Sequence, residues 1–344
     1  MASQKEMASQ GEMAAREEIS AEERLIAKYF RPLATHPGAL GLGDDAAVLT
    51  PPPGCDLVLT TDGVISGVHF FADDPPDAIG RKVLRMNLSD LAAKGAKPVG
   101  FLMSVALPAN MDENWLAAFA RGVGEDAQRY GCPLLGGDTD RTPGPISVSI
   151  AAFGSVPQGK VVRRATAKPG DCVVVTGTIG DAALGVLLCR DRGLADRLRL
   201  SETMRAHLRQ RYLLPEPRNA LAEAVQQHAS AAMDVSDGLV GDLAKLCRAS
   251  SVAAEVDVAR VPLSDAARAA LAADPALLET VLTGGDDYEI VLTLAPQKLG
   301  AFQAAARTAG VAVAQIGRVA AGEGTRFMHE GKPLNPTRPS YSHF

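Results

Sequence analysis

The stretch CVVVTGTIGDAALGVLLC, from Cys172 to Cys189, decides the fold class of this chain. It begins with β-branched residues typical of a buried strand, turns at Gly177-Thr178-Ile179-Gly180-Asp181, and continues as an apolar helix. A strand, a glycine-rich turn and a helix in direct succession are typical of α/β proteins. As a phosphate-binding signal the turn is weak, because such turns occur in many α/β domains.

The same alternation extends in both directions from this stretch. Before it, the sequence predicts strands at Asp56–Thr61, Cys132–Leu135 and Ile146–Phe153 and helices at Ile79–Lys94 and Met111–Tyr130. After it, the sequence predicts a charged helical segment at Asp191–Pro217, a buried strand at Ala231–Val235, a helix at Leu239–Ala249, and further elements within Thr280–Leu294 and Val311–Val319. The predicted class is therefore α/β or α+β.

The length of 344 residues favours two domains. The segment Pro157–Gly170 carries four cationic residues between proline and glycine, which predicts a linker between the domains. The imperfect hexads MASQKE, MASQGE and MAAREE at the start predict a disordered or weakly helical tail over residues 1–21. We therefore expect an N-terminal domain over residues 22–157 and a C-terminal α/β domain over residues 158–344.

The composition is that of a soluble globular protein, with 47% apolar residues and a formal charge of −5 from 35 basic and 40 acidic residues. Nucleic-acid and anionic membrane partners are not expected, because the chain lacks the lysine and arginine clusters that bind them. No apolar run approaches the roughly 18 residues of a membrane span. The five scattered cysteines are typical of reduced thiols, so we expect a cytoplasmic protein.

Six short stretches combine aspartate with glycine, serine or threonine. They are Gly43-Asp44-Asp45, Thr60-Thr61-Asp62-Gly63, Asn87-Leu88-Ser89-Asp90, Gly136-Gly137-Asp138-Thr139-Asp140, Asp234-Val235-Ser236-Asp237-Gly238 and Gly284-Gly285-Asp286-Asp287-Tyr288-Glu289. Each one alone is explained as a loop with a turn or a helix N-cap. As a set they indicate bound cations, because carboxylates gathered in one place repel one another.

The residue types favour Mg²⁺ and phosphate as the ligands of these stretches. Mg²⁺ takes one or two carboxylates together with waters and substrate phosphates, and glycine lets backbone N–H groups approach a phosphate closely. The six scattered histidines argue against a zinc site. Because the chain has no P-loop, no G-x-G-x-x-G after a strand, no H-E-x-x-H and no G-x-S-x-G, we interpret the stretches as a phosphoryl-transfer site without a P-loop.

Eight motifs follow one another between about residue 22 and residue 344. They are GLGDDAAVL (Gly41–Leu49), TTDGVISGVHF (Thr60–Phe70), NLSDLAAKGAKP (Asn87–Pro98), LLGGDTDR (Leu134–Arg141), RATAKPGD (Arg164–Asp171), TGTIGDAALG (Thr176–Gly185), MDVSDGL (Met233–Leu239) and GGDDYEI (Gly284–Ile290). In this order they resemble the thiamine-monophosphate kinases, ATP-dependent enzymes of the aminoimidazole-ribonucleotide-synthetase-like superfamily.

The resemblance implies three sets of site residues. The implied Mg²⁺ ligands are Asp45, Thr60, Thr61, Asp62, Asp90, Asp138, Asp234 and Asp237; the implied ATP contacts are Tyr130, Gly137, Asp138, Arg164 and Ser236; and the implied contacts to thiamine monophosphate are His69, Asp286 and Tyr341. Two positions depart from the family pattern. Asp286 occupies a position that is usually glutamate in the family, and Gly63 occupies one that usually carries a larger residue. Tyr341 is equally well explained as a C-terminal packing residue.

The resemblance also implies the reaction, which is direct in-line transfer of a phosphoryl group from ATP to thiamine monophosphate to give thiamine diphosphate. A phosphate monoester has a second pKa of about 6, so the acceptor needs relief from charge repulsion and no general base or covalent intermediate. The implied architecture is a homodimer in which two N-terminal mixed sheets pair into a barrel, with ATP and acceptor near the domain junction. An edge strand at Asp56–Thr61 favours such pairing.

Two alternatives stay open. One is another activity of the superfamily, although selenophosphate synthetases carry a reactive cysteine near the N-terminus, where no cysteine precedes Cys55, and hydrogenase-maturation relatives end in a cysteine, whereas this chain ends in Phe344. The other is a non-catalytic sensor that binds Mg²⁺ and ATP without transferring phosphate. Formation of thiamine diphosphate distinguishes the kinase from the sensor.

Overall fold

The computed structural model describes residues 20–338 and 340 of the chain. The predicted tail lies outside the described residues up to residue 19, and so does Tyr341. Helix α1 (Ala21–Leu25) begins inside the predicted tail, because Ser20 and Glu23 form a reciprocal capping box at its start. None of the helices within residues 20–338 has the length and apolarity needed to cross a membrane.

A four-stranded mixed sheet organises the N-terminal half. Its strands are β1 (Cys55–Ile65), β2 (Lys97–Pro108), β3 (Leu134–Thr142) and β4 (Ser147–Pro157), in the spatial order β1-β4-β2-β3. Strand β4 is antiparallel to both β1 and β2, and β3 is parallel to β2. Strands β1 and β3 therefore form the two opposite edges of the sheet.

Two long helices, α2 (Pro76–Ala93) and α3 (Glu113–Tyr130), cover one face of this sheet. Their apolar side chains form a core with the inward residues of the strands, including Val64, Phe101 and Ile150. The other face is not covered by these helices, and Leu59 on it is 65% exposed. The chain reaches β1 through a π-helical turn at Ile26–Phe30 and 3₁₀ turns at Arg31–Leu33 and Pro37–Leu42.

A seven-stranded mixed sheet organises the C-terminal half, in the order β11-β10-β7-β9-β5-β8-β6. Its strands are β5 (Cys172–Thr176), β6 (Ala231–Val235), β7 (Ala253–Asp257), β8 (Glu289–Leu294), β9 (Val313–Ala320), β10 (Gly324–His329) and β11 (Lys332–Leu334). Its helices are α4 (Asp181–Arg190), α5 (Leu194–Arg197), α6 (Glu202–Leu213), α7 (Ala222–His228), α8 (Leu239–Ser250), α9 (Asp265–Ala273), α10 (Leu277–Thr283) and α11 (Pro296–Thr308), with 3₁₀ turns at Asn219–Leu221 and Val258–Arg260.

Helix α2 connects the two halves through polar contacts. Arg85 donates to the carbonyl of Pro215 at 3.0 Å, Asn219 donates to the carbonyl of Leu88 at 3.0 Å, and Lys94, which follows the helix, donates to the carbonyl of Ala232 at 2.6 Å. Such contacts place the loops of the C-terminal sheet against the polar side of α2.

The predicted α/β class is confirmed, but three of the acidic stretches are not loops. Thr60–Gly63 lies inside β1, Gly136–Asp140 lies inside β3, and Asn87–Asp90 lies inside α2. The sequence predicted β3 at Cys132–Leu135, which starts two residues too early and stops seven residues short, and it predicted no strand at β2. Pairing along β2 extends β3 through glycine and aspartate residues that disfavour a strand in isolation.

Candidate active site

A cavity of about 380 Å³ lies where β1 and α2 meet the loops of the C-terminal sheet. Its volume falls within the range of about 300–1,000 Å³ that is usual for small-molecule sites. Seven of the predicted site residues line it, namely Asp62, His69, Asp90, Asp234, Ser236, Asp237 and Asp286. The fold thus brings together residues from both halves of the chain.

Alternation along β1 places Thr60 and Asp62 on the side of α2. Thr60 Oγ1 donates to Asp90 Oδ2 at 2.5 Å, so this predicted ligand lies directly beside the cavity. The backbone N–H of Asp62 donates to Asn87 Oδ1 at 3.1 Å, and Asn87 Nδ2 in turn donates to the carbonyl of Val83 at 3.0 Å. The buried Asn87 therefore fixes the position of β1 relative to α2, a role that the sequence did not reveal.

The turn after β6 carries the other acidic residues of the cavity. Asp234 lies within β6, and the turn Ser236-Asp237-Gly238 leads into α8. The buried carboxylate of Asp242 accepts from the backbone N–H groups of Asp237 at 2.9 Å and Gly238 at 3.1 Å, and thereby holds the turn. Lys245 forms ion pairs with both Asp237 and Asp242.

Electrostatic repulsion is strong at this acidic end of the cavity. Burial, together with the nearby Asp90 and Asp237, raises the pKa of Asp62 to about 6. Burial, followed by the charges of Asp90, Asp242 and Asp62, raises the pKa of Asp234 well above its ordinary value. Both carboxyls would be stabilised in their ionised form by a bound cation.

The donor set fits Mg²⁺. Ser89, next to Asp90, is fully buried, and its hydroxyl has no hydrogen-bond partner among the described residues, although it is near enough to Asp234 to lower that group's pKa. A buried polar group without a partner marks a place where a further ligand is needed. In the part of the chain that the structure describes, no three His, Cys, Asp or Glu side chains form a metal cage of their own. An ion that retains waters and substrate phosphates needs no such cage.

Repulsion among these carboxylates should make the stability of the metal-free protein depend on pH. The pKa of Asp62 is higher in the folded protein than its usual value, so its contribution to stability is present at low pH and is lost as the pH rises through about 6. We expect Asp62→Asn, with EDTA, to gain about 2 kcal/mol in unfolding free energy relative to the unsubstituted protein between pH 4.5 and pH 7.5. Thermal unfolding at a series of pH values measures this difference, and a constant difference would contradict it.

The lining of the cavity also includes His69, Asp286 and several apolar residues. Its wall includes Val68, Met86 and Leu187. The backbone N–H of Ile65 donates to His69 Nδ1 at 3.1 Å, which holds the imidazole beside the end of β1. An apolar wall with one carboxylate suits an aromatic cation.

The remaining predicted ligands lie elsewhere. Asp45, Gly137 and Asp138 line a second cavity, of about 1070 Å³, against the uncovered face of the four-stranded sheet. Gly137 permits close strand contact there, because a Cβ at this position would lie 1.8 Å from the carbonyl oxygen of Met103. Thr61, exposed on β1, alternates with Thr60 and faces the same uncovered side.

The strand register shows how far Asp62, on the side of α2, lies from Asp138, on the uncovered face. Asp62 pairs with Ile150, Ile150 with Met103, and Met103 with Gly137, so one row of residues crosses the whole sheet. Three strand spacings separate β1 from β3 by about 14 Å. Asp138 follows Gly137 and so points to the opposite face from Asp62. The structure therefore does not bring Asp62 and Asp138 together within one chain.

Two predicted ATP contacts line neither of these two cavities. The Tyr130 ring lies 5.9 Å from the Arg85 guanidinium and 5.3 Å from that of Arg129. Arg164 lies in the segment between the sheets, where its charge helps burial to lower the pKa of Lys94 to about 8.

Comparison with known proteins identifies the family of this chain. The family models for the N-terminal and C-terminal domains of AIR synthase related proteins match residues 43–156 and 168–330. The chain is 45% identical to thiamine-monophosphate kinase of Caulobacter vibrioides, over 92% of this chain and 89% of the relative. The chain belongs to the thiamine-monophosphate kinase family.

Two solved structures of similar proteins share its fold. The thiamine-monophosphate kinase of Stenotrophomonas maltophilia K279a is 38% identical and superposes with a TM-score of 0.80, covering 91% of this chain and 96% of that one. AaThiL complexed with AMPPCP and TMP is 32% identical, with a TM-score of 0.73 over 88% of this chain and 91% of that one. Because the chain belongs to the thiamine-monophosphate kinase family, the other activities of the superfamily are no longer the preferred interpretation.

Substitution of Asp242 is expected to lower the stability of the protein clearly. Asp242→Ala removes the acceptor of two backbone N–H groups and leaves Lys245 without one of its partners. We expect the unfolding free energy to fall by about 2–4 kcal/mol, because the buried donors lose their partner. Denaturant unfolding measures this loss. The matched variant Asp265→Ala, at an exposed carboxylate, should change it little, and equal losses in the two variants would contradict the prediction.

Proposed function

We propose that this protein is a Mg²⁺-dependent ATP:thiamine-phosphate phosphotransferase that forms thiamine diphosphate. The observation that carries the proposal is a single cavity whose lining combines clustered carboxylates with apolar residues, His69 and Asp286. The ligands of the related AaThiL complex, AMPPCP and TMP, support an ATP site and an acceptor site in this family. Membership of the thiamine-monophosphate kinase family supports the same reaction.

The roles of the residues follow from their positions. Asp62, Asp90, Asp234 and Asp237, with the Thr60 hydroxyl, would hold Mg²⁺ at the acidic end of the cavity. A Mg²⁺ ion held there would neutralise charge on the transferred phosphoryl group and on the acceptor phosphate. Ser236, at the turn before α8, lies beside these ligands and is proposed to contact ATP, as are Tyr130, Gly137, Asp138 and Arg164.

Acceptor binding is assigned to the part of the cavity lined by His69 and Asp286, which we call the acceptor end. Asp286 offers a carboxylate to the cationic thiazolium ring, and His69 lies beside it along the same wall. Tyr341, outside the described residues, stays a prediction as a further acceptor contact. With both substrates so placed, an oxygen of the acceptor phosphate attacks the γ-phosphorus directly, the bond from that phosphorus to the bridging oxygen of the β-phosphate breaks, and ADP leaves. No residue needs to act as a nucleophile or general base.

We also propose a homodimer formed through the uncovered face of the four-stranded sheet. Leu59 and Ile65 expose apolar side chains on this face, at 65% and 39%, and β1 and β3 leave unpaired edges. Pairing of two such sheets into a barrel covers both features. It also offers the predicted ligands Asp45, Thr61 and Asp138 a route to the acidic end of the partner's cavity. The cytoplasm is the proposed location, supported by five unpaired cysteines.

The test is product formation by the purified protein. Incubation with ATP, Mg²⁺ and thiamine monophosphate should yield thiamine diphosphate and ADP in equal amounts, as quantified by chromatography. Addition of EDTA in excess of Mg²⁺ should stop the reaction. ATP binding by a folded protein without any diphosphate product would instead support the sensor.

A further inference from the structure

Lys82 occupies an unusual position for a lysine. It lies in α2, its side chain is 5% exposed, and its ammonium group donates to Asp286 Oδ2 at 2.8 Å and to the carbonyl of His69 at 3.2 Å. The same ammonium lies 4.2 Å from the centre of the Tyr212 ring. Two of these partners, His69 and Asp286, are the residues assigned to the acceptor end of the cavity.

The ammonium group is held from several sides. Tyr212 is itself fixed, because its hydroxyl donates to Asp74 Oδ2 at 2.5 Å. Asp74 in turn accepts from the backbone N–H of Phe71, close to the His69 carbonyl that Lys82 binds. A buried lysine is strongly destabilising unless it is paired and hydrogen-bonded, and here the carboxylate, the carbonyl and the aromatic face supply those partners. These contacts therefore hold the positive charge of Lys82 in a fixed position beside the acceptor end.

Asp286 depends on such support. Its φ of +74° is in the left-handed region, and that of Tyr288, two residues later, is +50°. Residues other than glycine adopt this conformation only under strain. Lys82 binds Oδ2, whereas Oδ1 accepts only a long hydrogen bond of 3.4 Å from the Tyr288 hydroxyl among the described residues. The ion pair therefore orients a carboxylate that is 26% exposed at the cavity.

We propose that Lys82 is a positioning residue for acceptor recognition, which holds Asp286 so that its second carboxylate oxygen meets the cationic ring of thiamine monophosphate. This inference rests on the proposed function. We assign Lys82 no contact with ATP or with the metal-binding carboxylates, because none of the described partners of Lys82 is one of those groups.

Steady-state kinetics of Lys82→Met test the proposal. We expect the KM for thiamine monophosphate to rise at least tenfold, with the KM for ATP and kcat within about threefold of their original values. Lys82→Arg, which keeps a donor to Asp286, should recover most of the loss. Lys28→Met is the matched control, because it removes a lysine from an exposed ion pair with Glu113 and should change neither KM. Lys82→Gln takes the place of the Met variant if that variant does not fold.

A double-substitution cycle separates positioning from structural support. If Lys82 acts through Asp286, the double variant Lys82→Met/Asp286→Asn should have the same KM for thiamine monophosphate as Asp286→Asn alone. Additive effects, or an equal rise in KM for both substrates, would overturn the proposal. Absence of thiamine diphosphate with the unsubstituted protein would be a different result, because it would contradict the proposed function itself.

Discussion

Asp62→Asn is expected to lower kcat for thiamine diphosphate formation by at least about a thousandfold, while the protein stays folded. The loss of one carboxylate removes a ligand from the acidic end, where charge on the transferred phosphoryl group must be neutralised, and such interactions are worth several kcal/mol in the transition state. In the absence of metal the same substitution relieves repulsion from Asp90 and Asp237. Activity and stability should therefore change in opposite directions.

This opposition distinguishes a metal ligand from a structural carboxylate. Thermal unfolding with and without Mg²⁺, alongside the product assay, measures both quantities on the same samples. The control is Asp265→Asn, at an exposed carboxylate that pairs only with Arg268 in the described part of the chain, and it should leave both unchanged. A variant that loses stability together with activity would show that Asp62 serves the fold.

Heterodimers that combine two inactive chains are expected to recover about half of the original activity. We expect Asp62→Asn and Asp138→Asn each to be inactive as homodimers. Within one chain the two residues lie on opposite edges and opposite faces of the sheet, so a shared site requires two chains. A heterodimer purified through two different tags then has one site with both substitutions and one site with neither.

The converse heterodimer makes the test decisive. When one chain carries both substitutions and its partner carries none, every shared site has one substituted ligand, and we expect less than about 1% activity. If each site were built within a single chain, this heterodimer would keep half of its activity and the first would have none. Activities of the two heterodimers in that reversed order would contradict the shared site.

Much of the fold was predictable because its signals are local. The strands at Cys172–Thr176 and Ala231–Val235 match the predictions to the residue, since both are short, mostly apolar runs bounded by turn signals. Helix α3 begins two residues later than predicted because Asp112 caps it. The predicted strand at Cys132–Leu135 was misplaced because pairing with β2, which is distant in sequence, extends β3 through glycine and aspartate.

The residues of the candidate site also divide into those that the sequence revealed and those that only the structure revealed. The aspartates were visible as motifs, but Asn87 and Asp242, which hold β1 and the turn before α8, were not singled out. Asn87 stands inside one of the motifs, and Asp242 follows another by a few residues, so proximity to a motif was the available signal. Lys82 has no such signal, because its partner Asp286 is 204 residues away in the sequence.

By itself, the sequence determined the α/β class and which carboxylates are available for chemistry, because local periodicity and residue type are properties of the chain alone. Only the tertiary structure decided which of these carboxylates share a cavity. The side-chain period of two along a strand sends Asp62 and Asp138 to opposite faces once the register is set. That register depends on pairing between residues far apart in the sequence, so the division of the acidic motifs into two groups is a property of the fold.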